Sequence, residues 1–212
     1  MTQSQDSVND IIQYCHFKGL KNELVNFCDQ ILNLINDIIG QNSSYNSEQV
    51  ELLINNFGGM LQTVIVRIEQ QFMSPDLIQK LFSTLTNLCN HDSCRQGVLF
   101  ILNGILNTVN QEQCIDLSDT VLNIIDTTVH NKAINGGEYP FDSSSKRLAT
   151  GLIQDLATAI DKHVSVHLQK ITNLLFTILG DNDIGTDVKI TAIIAIGDIC
   201  LVTELSFQPF LE

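Results

Sequence analysis

The chain contains no tryptophan and three prolines, and its 11 Lys plus Arg are outnumbered by 24 Asp plus Glu. Each shortage removes a class of protein. With so few prolines (Pro75, Pro140, Pro209), long helices run unbroken and strand-and-turn architectures lose one of their usual punctuators. A formal net charge of -13 leaves no phosphate-neutralising surface of the kind a nucleic-acid binder needs. Such a chain repels phosphate and attracts basic partners. The opening residues Met1-Thr2-Gln3-Ser4-Gln5-Asp6 lack the basic flank and apolar run of a signal peptide. The most apolar stretch, Ile190 to Val202, is interrupted by Asp198 and reads as too short to cross a bilayer. An intracellular chain with no nucleic-acid and no membrane partner is expected.

What is abundant is apolar side chain. At 44% hydrophobic over 212 residues, the sequence can fill a continuous core in one domain or one short repeat array. Cys15, Cys28, Cys89, Cys94, Cys114 and Cys200 fall mostly in apolar helical patterns, where a reduced cysteine behaves as a small hydrophobe, which suits a reducing compartment.

From Ser47 onward, Val50, Leu53, Ile54, Phe57, Met60, Leu61, Val64, Ile65 and Ile68 recur at three- and four-residue steps, one face of an amphipathic helix. Ser74-Pro75 then sets a capping hydroxyl before a proline at the first helical position, and Leu77, Ile78, Leu81, Phe82, Leu85 and Leu88 repeat the pattern. The same reading predicts helices at about Ser93 to Val109, Glu112 to Val129, Ser143 to Ile160, Ser165 to Leu179 and Thr186 to Val202. Upstream, Leu24, Val25, Cys28, Ile31, Leu32, Ile35, Ile38 and Ile39 mark another, closed by Gly40 as a C-cap, and Ser7 with Asp10 caps a shorter one. No useful stretch alternates with period two, so no sheet is expected.

The helix pairs resemble one another, which is the mark of a repeat array. Arg95, Lys146 and Lys189 align, as do Leu102, Ile153 and Ile196, then Ile105, Leu156 and Ile199; past the turn, Leu117, Leu168 and Leu211 fall into register. Gly151 and Gly197 lie inside first helices, where glycine costs about 1 kcal/mol relative to alanine, and are expected at close helix crossings. Residues 131–142, with Asn135-Gly136-Gly137-Glu138-Tyr139-Pro140, read as a loop longer than usual and mobile. Phe207-Gln208-Pro209-Phe210-Leu211-Glu212 reads as the first turn of a second helix that does not continue. The expected fold is all-α, an alpha-alpha superhelix of HEAT/armadillo type with about four to five helical hairpins. Residues 1–212 are taken as one array, a fragment of a longer solenoid.

Particular runs carry a family resemblance. Gln154-Asp155-Leu156-Ala157-Thr158-Ala159-Ile160, and more strongly Ile196-Gly197-Asp198-Ile199-Cys200-Leu201 followed by Phe207-Gln208-Pro209-Phe210-Leu211, resemble the central-to-later HEAT repeats of importin-β (karyopherin-β). There a Gly-Asp-Ile or Gly-Asp-Leu run ends one helix and an aromatic-x-x-aromatic-Leu run starts the next. Leu179-Gly180-Asp181-Asn182 is similar to that family too, and the clear similarity covers about the last half of the chain. The resemblance implies a nuclear transport receptor of cytoplasm and nucleus. Its implied partners are an importin-α-type adaptor or basic cargo segments on an acidic concave face, Phe-Gly nucleoporins between outer helices, and the GTPase Ran, whose main contact lies on more N-terminal repeats. Two departures stand out: Val202-Thr203-Glu204-Leu205 replaces a Gly-rich turn common in the family, and the tryptophans that stack on basic cargo are missing. The alternative is a HEAT scaffold of another class, such as a phosphatase regulatory subunit or a coat adaptor.

The candidate partner face lies on the helix from Glu112. Asp116, Asp119, Asn123, Asp126 and His130 form a polar stripe at three- and four-residue spacing, opposite Leu117, Val121, Leu122 and Ile125. In a HEAT stack the second helices line the concave side, so the carboxylates would meet an incoming basic chain; Asp76 on the preceding second helix is a weaker member.

Other groupings read as structural. Cys89-Asn90-His91-Asp92-Ser93-Cys94 offers three ligand types without a second Cys/His pair, so an inter-helix turn is expected there in place of a zinc site. Asp181-Asn182-Asp183-Ile184-Gly185-Thr186-Asp187 looks like a calcium loop, but its glycine is one position early and Ala192 stands where the bidentate Glu belongs, so helix N-capping is expected. His163 and His167 have no acid general base between them. Without a nucleophile elbow, phosphate-binding loop or dinucleotide fingerprint, neither catalysis nor a cofactor is expected.

Overall fold

A computed structural model describes residues 10–13, 15, 19–40, 47–68, 70, 73–89, 94–130 and 143–210. All regular structure among them is helical. The expected loop at 131–142, the Ser7 cap, the His91 part of the Cys/His turn and Leu211 lie outside the described residues. The chain divides into two units, Met1–Val109 and Asn110–Glu212.

The first unit holds α1 (Lys21–Gly40), α2 (Ser47–Arg67), α3 (Pro75–Cys89) and α4 (Arg95–Leu106). Helices of like position lie side by side: α1 packs against α3 and α2 against α4. The start of α3 follows the sequence reading, since the Leu77 amide donates to Ser74 Oγ at 3.2 Å and Pro75 needs no amide partner in the first turn. Lys21 Nζ donates to the Arg67 carbonyl at 2.9 Å, placing a cation on a helix C-terminus.

The closest crossing in this unit is between α2 and α4. A Cβ added at Gly58 would lie 2.6 Å from Gly97 Cα, one at Gly97 2.8 Å from the Ile54 carbonyl oxygen, and one at Gly104 3.0 Å from Gln62 Cα. Glycine lets the two backbones meet there, and Asn55, Gln62 and Thr108 fasten them through bonds to the Gly97 amide, Asn103 Oδ1 and the Ile65 carbonyl. The expectation that Gly151 and Gly197 mark close crossings is corrected: a Cβ at either would have nothing within 4 Å. Gly197 is exposed and Gly151 half-buried, so neither position faces a crossing backbone.

The second unit holds α5 (Gln111–His130), α6 (Ser143–Ile160), a 3-10 segment Asp161–His167, α7 (Leu168–Gly180), α8 (Thr186–Thr203) and a second 3-10 segment Glu204–Phe210. A capping box opens α5: the Gln113 amide donates to Asn110 Oδ1 at 2.8 Å and the Asn110 amide to Gln113 Oε1 at 3.1 Å. Helix α5 packs against α6 and α7, and α6 against α8.

The repeat read from sequence is visible as geometry. One shift of 43 positions carries Ser143–Ile160 onto Thr186–Thr203 and the 3-10 segment Asp161–His167 onto Glu204–Phe210. Both segments begin with an acid at positive φ, Asp161 at 50° and Glu204 at 47°, and each buries one apolar residue in register, Val164 and Phe207.

Two turn readings change. The Asp181 to Asp187 run was expected to cap α8, but the capping residue is Gly185 and no side chain caps the helix. Asp181 instead accepts from Lys146 Nζ at 2.5 Å and from the Asp183 amide at 2.9 Å, which ties the α7–α8 turn to α6. The apolar stretch from Ile190 lies in α8, and α8 with the 3-10 segment after it, Thr186–Phe210, covers 25 residues, enough by length and composition to span a membrane, although Glu204 at positive φ separates the two. A core helix of a soluble protein meets the same test, and one side of α8 (Val188, Ala192, Ala195, Ile199) is buried.

Candidate functional site

Helix α5 separates its faces as its sequence dictates. Val121, Leu122 and Ile125 are buried and Leu117 is half-buried, while Asp116, Asp119 and Asn123 are exposed and Asp126 is half-exposed. The stripe therefore does not lie against an apolar neighbour.

Its surroundings come from α7 and the 3-10 segment before it. Lys170 Nζ donates to Asn123 Oδ1. His167 Nδ1 lies 3.4 Å from Asp119 Oδ1, and its Nε2 lies 2.8 Å from Ser118 Oγ. Because Ser118 Oγ donates to the Ile115 carbonyl at 2.7 Å, its proton is committed and His167 Nε2–H is the donor of that pair. Asp126 is engaged within its own helix, 2.9 Å from His130 Nδ1. Sequence reasoning about α5 alone missed Lys170 and His167, which reach it from α7 and from the segment preceding it. The signal was present as Lys170 on the polar side of α7, but which row faces which depends on packing.

Beyond these cross-links α5 and α7 enclose an open groove of ≈ 660 Å³ lined by Asp126, His130, Lys170, Asn173, Leu174, Phe176 and Thr177. Carboxylate, amide and hydroxyl groups there can pair with cationic and main-chain groups of a peptide, and Phe176 adds an exposed aromatic surface.

Asp76 belongs to the first unit, exposed in the first turn of α3, where a negative charge also favours the helix N-terminus. That unit has a comparable arrangement between its own second-position helices. Lys80 Nζ pairs with Asp29 Oδ1 at 2.8 Å, Asn36 Nδ2 donates to Thr84 Oγ1 at 3.2 Å, and a polar groove of ≈ 460 Å³ opens beside them.

Cys28, Cys94 and Cys114 are buried in the core, and Cys15, Cys89 and Cys200 are half-buried. Burial, with Asp29 nearby, pushes the Cys28 thiol up to about 12, and burial, with Cys94 nearby, pushes Cys89 up to about 11, so both stay protonated at neutral pH. No group of three or more His, Cys, Asp or Glu able to hold a metal occurs among the described residues.

A search of curated proteins and one of solved structures gave no match. The family model described as Importin subunit beta-1-like, TPR repeats, matches residues 3–212. With paired helices recurring in register and all described regular structure helical, the chain belongs to the importin subunit beta-1-like repeat family and is a HEAT-type helical scaffold.

Proposed function

We propose that this scaffold is part of a nuclear transport receptor of importin subunit beta type, which carries protein between cytoplasm and nucleus and has no catalytic role. Its α5 face would take a Lys/Arg-rich segment of an adaptor or cargo. The observation carrying this reading is that Asp116, Asp119 and Asp126 stand on one solvent-facing side of α5 in a member of that family. Lys170 offsets part of their charge, and the carboxylates still outnumber it.

A second feature supports contact with Phe-Gly nucleoporins. On the outer side of α8, Ile190, Ile194 and Leu201 are exposed at 53%, 51% and 78%. The 43-position shift matches them to Arg147, Gly151 and Thr158 of α6, so α6 places a cation, a glycine and a hydroxyl where α8 places large apolar groups. Apolar side chains gathered on a solvent face fit an apolar partner such as phenylalanine.

Immobilised Phe-Gly repeats are expected to retain the chain and to release it when Ile194→Asp is introduced with helicity unchanged. A phosphatase scaffold or coat adaptor would ignore those repeats. A folded chain that passes through such a column, or that fails to bind a Lys/Arg-rich peptide even at low salt, would remove the corresponding half of the proposal.

A further inference from the structure

The two units carry one polar pattern twice. A shift of 90 positions takes α1, Lys21–Gly40, onto α5, Gln111–His130, with no change in length, and takes Lys80 of α3 onto Lys170 of α7. By the same shift Asp29 falls on Asp119, Asn33 on Asn123 and Asn36 on Asp126. The groove beside Lys80 and the groove beside Lys170 are therefore the same feature, present once in each unit.

The lysine bonds differently in the two. Lys80 Nζ lies 2.8 Å from Asp29 Oδ1, so in the first unit the cation and the acid of the pattern neutralise one another. Its counterpart Lys170 leaves Asp119 alone and donates to Asn123, a neutral amide one turn further along α5. The Asp119 side chain is accordingly 81% exposed against 43% for Asp29. A difference in sequence lies beside each acid. Where the first unit has Leu77, which is buried and offers no polar atom from its side chain, the second has His167, 13% exposed at its side chain. His167 is anchored by Nε2–H on Ser118 Oγ at 2.8 Å, and this sets its Nδ1 3.4 Å from Asp119 Oδ1. The anchor is also particular to the second unit, since the shift puts Cys28 in the place of Ser118.

We infer that His167 is a positioning residue for partner binding: its ring fills the flank of Asp119, turns Lys170 to Asn123, and so keeps Asp119 open to the cationic side chain of a Lys/Arg-rich segment, whereas Lys80 closes the equivalent acid of the first unit. A neutral imidazole blocks the approach of Lys170 without cancelling the charge of the carboxylate, which a paired ammonium would do. The inference rests on the reading of the α5 face given above and adds which residue makes that face receptive.

Carbodiimide, which joins an amine to a carboxylate where the two touch, reads the pairing in the full chain when the products are identified by peptide mass spectrometry. The unaltered chain is expected to give a Lys80–Asp29 cross-link and only background for Lys170–Asp119. His167→Leu, which installs the residue of the first unit, should raise the second cross-link to the level of the first; His167→Gln, which keeps a polar side chain beside Ser118, should not. Anisotropy with a labelled Lys/Arg-rich peptide at low salt reads the consequence. His167→Leu is expected to weaken binding about threefold to fivefold, His167→Gln to leave it unchanged, and Lys170→Met added to His167→Leu to restore it. A Lys170–Asp119 cross-link in the unaltered chain as strong as that of Lys80–Asp29, a result that needs no variant, would overturn the inference. So would background cross-linking in a folded His167→Leu chain, or an affinity for the peptide that His167→Leu does not change. A peptide that the unaltered chain fails to bind would instead sink the reading of the α5 face, and the cross-links would still decide whether His167 keeps Lys170 from Asp119.

Discussion

Glu204 holds φ at 47° and Asp161 at 50°, in a region that side chains with a Cβ seldom adopt and glycine enters freely. The sequence reading noted that Val202-Thr203-Glu204-Leu205 replaces a Gly-rich turn, and the positive φ places that cost on one residue. Glu204→Gly is accordingly expected to stabilise the chain by about 1 kcal/mol, measured as a higher urea midpoint with unchanged slope. The glycines make a sharper comparison. Gly97→Ala puts a methyl group 2.8 Å from the Ile54 carbonyl oxygen and is expected to cost about 2 kcal/mol. Gly197→Ala meets nothing within 4 Å and should stabilise by about 0.5–1 kcal/mol through helix propensity alone. Equal midpoint shifts for the two substitutions would mean that the α2–α4 crossing is looser than described.

At the scale of elements, Lys146 links α6 to the α7–α8 turn. The hydrogen bond from Lys146 holds the Asp181 carboxyl below the ordinary carboxylate value of about 3.9, more strongly than partial burial raises it. A carboxyl depressed on folding contributes stability that is full above its unfolded pKa and is lost as pH falls through its folded one. Lys146→Met keeps the apolar stem and removes the charge. It is expected to lower stability at neutral pH by about 1–2 kcal/mol and to flatten the decline below about pH 4, as followed by urea midpoints across pH. Much of this layer was readable in advance. The span Ser143 to Ile160 matches α6, and Ser74 caps α3. Asp181 was misread as a capping acid because its true partner lies 35 positions away in sequence, and no local pattern encodes that distance. The 3-10 segments were missed for a similar reason: the sequence reading left 161–164 as a connection and began the next helix at Ser165, and a positive φ at Asp161 that tightens the turn leaves no trace in apolar spacing. The crossing glycines were misassigned because a helix sequence gives its own faces and leaves open which neighbour comes near.

For the whole molecule, the proposal of basic partners held by many modest contacts rests on the -13 charge, the open face of α5 and membership of the importin subunit beta-1-like family. The carboxylates of that face and His130 could be placed on one side from their spacing alone; that Lys170 and His167 would share it could not, since they belong to other elements. Exposed charges act over a Debye length of roughly 10 Å at 0.1 M salt and about 3 Å at 1 M, so binding through this face must be steeply salt-dependent. The most direct measurement titrates a labelled Lys/Arg-rich peptide against the chain and against the triple variant Asp116→Asn, Asp119→Asn, Asp126→Asn, by anisotropy at about 50 mM and about 500 mM salt. The expected result is that the unaltered chain binds on the order of tenfold more tightly than the variant at low salt and that the difference closes at high salt. Equal affinities at low salt, or an affinity for the unaltered chain that salt does not move, would contradict it.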